Sequence, residues 1–407
     1  STAPSTQPVT VAQTQEEAKN YWNSFWKEGA AVDFSACTDP RAKELERRVI
    51  LSQYLLAIQS AGTTPPQETG LTYNSWFGKF HLEMIWWHEA QFDRTLGWYE
   101  KAEPIARQIA QRQGFDGVRW MKMTDPSGTE APSKVGSFLI WQQPHLIYLA
   151  ELLYRADPTK EVLEKYNRLV QETAEFMYSF ATYDELEGRY VLKGAIPAQE
   201  TLRAAETVNP PFELSYWHFA MQTAQQWRER MGQQRSLEWD EMIDKLSPLA
   251  SNKEGLYLAA ETATDTYKDI RYTSDHMAVL GAVGILPMNK LIREDYMKNT
   301  LHWIWDNWNW GKTWGWDYPM TAMNAARLGE PEKAVGALLM DKRTNTYLPN
   351  GHNYQDGRLR IYLPGNGGLL TAIAMMCAGW DGCTETNPGF PKDGTWNVRW
   401  EGLKPLP

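Results

Sequence analysis

Four stretches of the 407-residue chain gather acid, imidazole and indole side chains densely enough to act on a shared substrate. The first runs from Tyr183 to Trp217, YDELEGRYVLKGAIPAQETLRAAETVNPPFELSYW. It carries Glu200 in a Pro/Ala/Gln loop, followed by Glu206 and Glu213. Cleaving a glycosidic bond takes one carboxylic acid to protonate the leaving oxygen and a second carboxylate to activate water or attack carbon. A loop glutamate among aromatic rings can keep its proton near neutral pH, because desolvation disfavours the charged form. The same residue also fits a solvated loop position or a cap on the helix beginning near Phe212. The second stretch, Trp76 to Phe92, packs His81, Glu83, Trp86, Trp87, His88 and Glu89 together. On a helix the two histidines would share a face. In the third, Thr313 to Gly329, Asp317 sits between Trp316 and Tyr318 just before Pro319. It either serves a helix start, where a carboxylate is favoured, or points into an aromatic cleft. The fourth, Leu348 to Gly368, puts His352, Asn353, Gln355, Asp356, Arg358 and Arg360 in one loop, and a Gly365-Asn366-Gly367-Gly368 turn then feeds an apolar helix. Gln67-Glu68, Trp120 to Glu130 and Trp141-Gln142-Gln143 read as weaker loops of the same rim, and Asp275-His276 as an isolated structural pair.

Helices must position these loops. Apolar residues recur at 3–4 spacing over 41–61, 139–155, 161–181, 212–231, 295–310, 319–328, 331–340 and 368–378. Gly/Pro/Asn-rich loops separate them, as at 63–74 and 344–366. Strand alternation is rare, and Gly188 to Leu192 (GRYVL) is its clearest case. About a dozen helices with loops between them fit paired hairpins closing into an all-α ring. No linker divides the chain, so the expectation is a flexible lead-in over 1–15 and one catalytic domain over 16–407, with the tail from Thr395 packed outside.

Composition narrows the function. The formal net charge is −9 and no basic block is present, which makes nucleic acid an improbable partner. No apolar run reaches the roughly 18 residues of a membrane helix. Three cysteines are too few for a disulfide scaffold. Cys377 and Cys383 are close enough to pair, and three free thiols fit equally well. No zinc pattern and no cofactor motif occurs. The polar start, Ser1 to Gln15, reads as a flexible lead-in or the new end of a trimmed chain, which would suit a periplasmic or secreted protein. Twenty Trp, 19 Tyr and 12 Phe are the strongest compositional signal, because aromatic faces stack on sugar rings as well as filling cores.

Asp184-Glu185, Gly188-Arg189-Tyr190 and Lys193-Gly194 lead into Pro197-Ala198-Gln199-Glu200, and Asn209 to Tyr216 opens a helix. This order and spacing resembles the maltose and kojibiose phosphorylase family of six-hairpin (α/α)6 glycosidases, in which the Glu of a Gly-Pro-Asp-Glu phrase is the general acid. Ala198-Gln199 replaces the family's Pro-Asp and puts the substrate in question. The Trp76–Phe92 segment resembles the sugar-contacting segment of the same family and of the toroidal α-L-fucosidases. The resemblance implies an all-α (α/α)6 toroid with few short strands and an exo-acting, inverting enzyme. Glu200 would be its acid and Asp317 its base. Asp356 is the fallback base, because Pro364 stands where the fucosidases carry an Asp. His81, Glu83, Trp87, His88, Trp141, Gln143, Glu213, Trp316, His352, Asn353 and Asp356 would bind the carbohydrate. Asp317 stands where the phosphorylases bind phosphate with His-Ser-Ser, and an acid there favours hydrolysis. A phosphorylase or a non-catalytic carbohydrate-binding domain of the same fold are the alternatives, and the oligomeric state is open, a monomer included.

Overall fold

Amphipathic helices alternate along the chain with more deeply buried ones. The computed structural model describes residues 9–73, 79–88 and 92–407, so Trp76 and Glu89 of the second stretch lie outside the described residues. In order, the helices are α1 (Val11–Glu28), α2 (Ala42–Gln59), α3 (Leu82–His88), α4 (Phe92–Gln113), α5 (His145–Ala156), α6 (Lys160–Phe180), α7 (Pro211–Arg230), α8 (Leu237–Lys245), α9 (Glu294–Asn307), α10 (Asp317–Arg327), α11 (Pro331–Leu338) and α12 (Leu363–Ala378). A short 3-10 helix, Ala278–Ala282, lies between α8 and α9. The described strands form antiparallel pairs: β1 (Ala31–Asp33) with β8 (Arg399–Glu401), β2 (Phe80–His81) with β3 (Met123–Thr124), β4 (Thr182–Asp184) with β5 (Arg189–Val191), and β6 (Thr346–Tyr347) with β7 (Asn353–Tyr354).

The packing closes a ring. α3 packs on α5, α5 on α7, α7 on the 3-10 helix, that helix on α10, α10 on α12, and α12 back on α3. An outer helix precedes each inner element, so α2, α4, α6, α8, α9 and α11 each open one of six hairpins. The sequence explains the two layers. The outer α6 buries Leu163, Tyr166, Leu169, Val170, Thr173, Ala174 and Met177, one stripe at 3–4 spacing. Inner helices are buried nearly all round, from Leu82 to His88 in α3 and from Asp317 to Ala326 in α10. A helix enclosed by neighbours carries no polar face. One apolar cluster runs from Phe34 to Val398, and no described helix is long and apolar enough to cross a membrane.

Several boundaries differ from the sequence-based expectation. Residues 11–15 of the expected flexible lead-in belong to α1, whose start is fixed by a capping box between Thr10 and Gln13. His81 lies in β2 and not on a helix face shared with His88. α5 begins at His145, with Pro144 at its N-cap, instead of at Leu139. The expected Gly365 to Gly368 turn is the opening of α12. A Cβ on Gly367 would lie 1.8 Å from the Trp87 carbonyl oxygen and one on Gly365 2.3 Å from Asn353 Oδ1, so these glycines permit close packing, not a reversal. Gly188 to Leu192 does contain a strand, β5, and the tail packs against the start of the chain through β8 and β1. Cys37, Cys377 and Cys383 are free thiols.

Candidate active site

Since every hairpin runs from outer to inner, the six loops entering the inner elements gather at one end of the ring. A cavity of about 400 Å³ opens there, and each loop supplies part of its wall. Glu68 and His81 precede α3, and Glu83 opens it. Lys122 precedes α5, Glu200 precedes α7, Asp275 and His276 precede the 3-10 helix, Trp314 precedes α10, and Tyr362 precedes α12. The β2–β3 register, His81 opposite Met123, sets His81 beside Lys122.

A ladder of charge crosses this cavity. The Lys122 ammonium pairs with Glu200 Oε1 and lies 3.5 Å from Glu83 Oε1. His81 Nδ1 is 3.5 Å from Glu83 Oε1 and 3.6 Å from Glu68 Oε2. Burial pushes the Glu68 carboxyl up to about 7, with the Glu83 charge adding to it, and the His81 and Lys122 charges pull only part of the way back. Burial acts on Glu83 too, but Lys122 and His81 outweigh it and hold that carboxyl below its ordinary value. Glu83 Oε2 is buried without a hydrogen-bond partner among the described residues.

The loop of Glu200 is pinned from three sides. Ala198 N–H donates to Glu213 Oε1 at 2.6 Å, the Gln199 amide donates to the Tyr272 carbonyl at 2.7 Å, and Thr201 N–H donates to Asp275 Oδ2 at 2.9 Å. Asn209, at φ 53, closes the loop by accepting from Leu192 N–H at 2.9 Å. Glu200 thus projects into the cavity from a braced backbone.

Asp317 is enclosed behind this wall. It is completely buried and absent from the cavity lining. Its Oδ2 accepts Trp314 N–H at 2.7 Å, and both of its oxygens face His276 Nδ1, at 3.1 and 3.0 Å. Burial favours neutral imidazole, but Asp317 outweighs it and raises His276 to about 9. The expected base therefore does not line the cavity, and its position is that of a support for the His276 imidazole.

The expected binding residues divide in the same way. His81 and Glu83 line the cavity. Trp87, Trp141 and Trp316 do converge, but on each other: Trp316 stacks on Trp87 at 5.4 Å and on Trp141 at 5.6 Å, so their faces are spent in a buried column. Gln143 accepts from Trp120 N–H at 2.9 Å and donates to the Val118 carbonyl at 2.7 Å, bracing the loop of Lys122. His88 Nε2 meets the Pro66 carbonyl at 3.2 Å and braces the loop of Glu68. Glu213 supports the loop of Glu200 and does not face the cavity. His352 packs on Gln59 at 3.3 Å, and Asn353 is occupied by Gln355 at 2.6 Å and by Asn366, which accepts its N–H at 3.0 Å. Asp356 caps its own turn through Arg358 and Leu359 N–H, both at 2.8 Å. None of these three lines the cavity, because the loop folds in on its own hydrogen bonds. Sequence reasoning passed over Lys122 and set aside Asp275-His276; each precedes an inner element, and that shared place in the hairpin repeat was the signal available.

The six hairpins form an (α/α)6 toroid, a fold shared with solved structures of glycosidases and of a phosphorylase. One similar structure is a protein from the human microbiome assigned as a kojibiose phosphorylase, with a TM-score of 0.70 and 10% identity over 97% of this chain. This chain spans 64% of that protein's length. Two point variants of a glycosidase, one in complex with glucose, match 81% of this chain and 97% of theirs, at 12% identity and TM-scores of 0.55 and 0.56. At such identities the likeness extends to the fold alone. No family model and no curated protein sequence matches the chain.

Proposed function

We propose that the protein is an exo-acting glycoside hydrolase that frees a terminal sugar with inversion, Glu200 serving as general acid and Glu68 as general base. One observation carries the reading: the six inner loops bring Glu200, Glu83 and Glu68 into one cavity as successive carboxylates of a ladder bridged by Lys122 and His81. Glu200 would protonate the leaving oxygen, and Glu68 would take a proton from the attacking water. A base poised near neutrality suits that task, and burial gives Glu68 such a value. Inverting pairs stand about 6.5–9.5 Å apart and retaining pairs about 5–5.5 Å. Glu68 and Glu200 occupy opposite ends of the ladder, which favours the wider class. The cavity lies toward the small end of the about 300–1,000 Å³ common for small-molecule sites, which favours a terminal unit over the interior of a long chain. The buried cations of the wall, Lys122, His81 and His276, already face carboxylates, and the exposed Lys134 at its edge is the further lysine that phosphate could meet.

A second reading keeps Glu200 and makes Glu83 a nucleophile. It is favoured by the shared Lys122, which limits the gap between Glu83 and Glu200 to two polar contacts. Proton NMR of the first product from a panel of aryl glycosides and oligosaccharides decides between them. The expected product has the opposite anomeric configuration to the substrate and forms without phosphate. A retained anomer transfers the second role to Glu83. Turnover that requires phosphate, or no sugar released from any substrate, overturns hydrolysis.

A further inference from the structure

His276 is held by a carboxylate at one edge and by indole rings at its side. Its Nδ1 faces both oxygens of Asp317, its ring stacks on Trp316 at a centroid distance of 4.3 Å, and Trp314 lies tilted at 6.2 Å. The ring cannot turn without losing the carboxylate, so the Nε2 edge is what it presents to the cavity. Asp275 stands beside that edge with Oδ1 4.0 Å from Nε2, too far for a hydrogen bond between them. Its other oxygen is anchored by Thr201 N–H. A fixed donor and a fixed acceptor thus face a common gap, each without the other.

We propose that His276 and Asp275 clamp a single uncharged hydroxyl of the terminal sugar, which accepts from Nε2–H and donates to Oδ1, and that this clamp selects neutral over acidic sugars. The ligand class rests on the glycoside reading above. A gap of 4.0 Å admits one oxygen at hydrogen-bond distance from both atoms. A uronate carboxylate in the same place has no proton to give Asp275 and meets its charge, with Glu200 also among the groups acting on the imidazole. Asp317 is the positioning residue: with Asp275 and Glu200 it keeps the imidazole protonated, so that the Nε2 donor is present throughout the neutral range. Trp314 offers an apolar surface beside the clamp.

The test uses the full chain labelled for histidine NMR. His276 is expected to titrate well above the ordinary imidazole value of about 6.5 in the native protein, and Asp317→Asn, which keeps an acceptor for Trp314 N–H, is expected to return it toward that value. Glucose, galactose, mannose, glucuronate and galacturonate are then titrated in as probes. At least one neutral sugar should shift the His276 ring signals, and uronates should not. Within a monodeoxy series of the sugar that binds, loss of one hydroxyl should weaken binding about tenfold or more, as should Asp275→Ala. The monodeoxy series needs no variant to fold. Ordinary titration of His276 in the native protein, preferential binding of uronates, no sugar bound, or equal binding of every deoxy sugar overturns the clamp. Binding through His276 without turnover overturns the hydrolase reading and leaves the clamp standing.

Discussion

Among the ladder carboxylates Glu200 alone is substantially open, its side chain 34% exposed against 1% for Glu83 and 4% for Glu68. A proton donor must meet the leaving oxygen, so Glu200→Gln should cut turnover of substrates with poor leaving groups by about 10²–10⁴-fold and spare a dinitrophenyl glycoside, whose leaving group needs no proton. Equal losses on both substrates would refute the assignment. Glu68 leads to a pH prediction. A base works only when ionised, so kcat/KM should fall as pH drops through about 7, the value to which burial raises this carboxyl. Glu68→Gln should remove that limb and most of the rate. An acidic limb near 4 in the native protein would point to an unburied carboxylate instead. The sequence made Glu200 legible because its spacing from Gly188-Arg189-Tyr190 and Lys193-Gly194 is local. Asp317 was misread because its type and setting show only that a carboxylate begins a helix; its burial behind His276 depends on Trp314 and Trp316 folding over it. Glu68, Lys122 and His276 reside on three different loops, and no local pattern links them.

Boundaries are legible within about two residues, the usual uncertainty of helix ends, in the outer α2 and α6 and in the inner α7. The outer α4 and α8 have no counterpart among the expected stripes, and α12, buried nearly all round, opens with three glycines that resemble a turn. Its Gly367 rides directly over the backbone of α3, so Gly367→Ala should destabilise the protein by about 1–3 kcal/mol or more, read from denaturant unfolding. Unchanged stability would mean that α3 and α12 are not in such close contact. Glu213, at the start of α7, braces the loop of Glu200 as a buried carboxyl raised to about 7 by desolvation. Its folded value lies above the unfolded 4.5, so the native state holds the proton more tightly and loses stability as pH climbs from about 4.5 to 7. Glu213→Gln keeps an acceptor for Ala198 N–H without the charge. The variant should be more stable than the native protein at pH 8, by about 3 kcal/mol, and not at pH 4. Equal effects at both pH values would show that burial does not raise the Glu213 carboxyl above its unfolded value.

Over the whole molecule, the alternation of helices and loops announced paired hairpins, but the contact that shuts the ring, α12 on α3, joins distant parts of the chain. The inner member of the fourth hairpin, Ala278–Ala282, is too short to show a helical period in the sequence, and its Gly281 and the following Gly284 lie close against Phe212 and Asn324. The two ends of the described chain are fastened together. β8 pairs with β1, and the buried Trp396 packs on Phe390 with Arg41 over its ring. Deleting residues 396–407 should therefore cost at least the about 3–5 kcal/mol of one buried Trp, and a thermal midpoint left unmoved would show that this clasp is idle. The ladder in the cavity has an effect that outlasts each reaction. If the protein hydrolyses with inversion as proposed, each cycle would leave Glu68 holding the proton taken from water and Glu200 stripped of the one it gave away, the wrong state in which to begin again. His81, Glu83 and Lys122 stand in succession between those two carboxylates. On that proposal they would offer an internal relay by which the catalyst rearms itself without borrowing from buffer, and its recovery would then be indifferent to buffer concentration even when the mouth of the ring is filled by departing product.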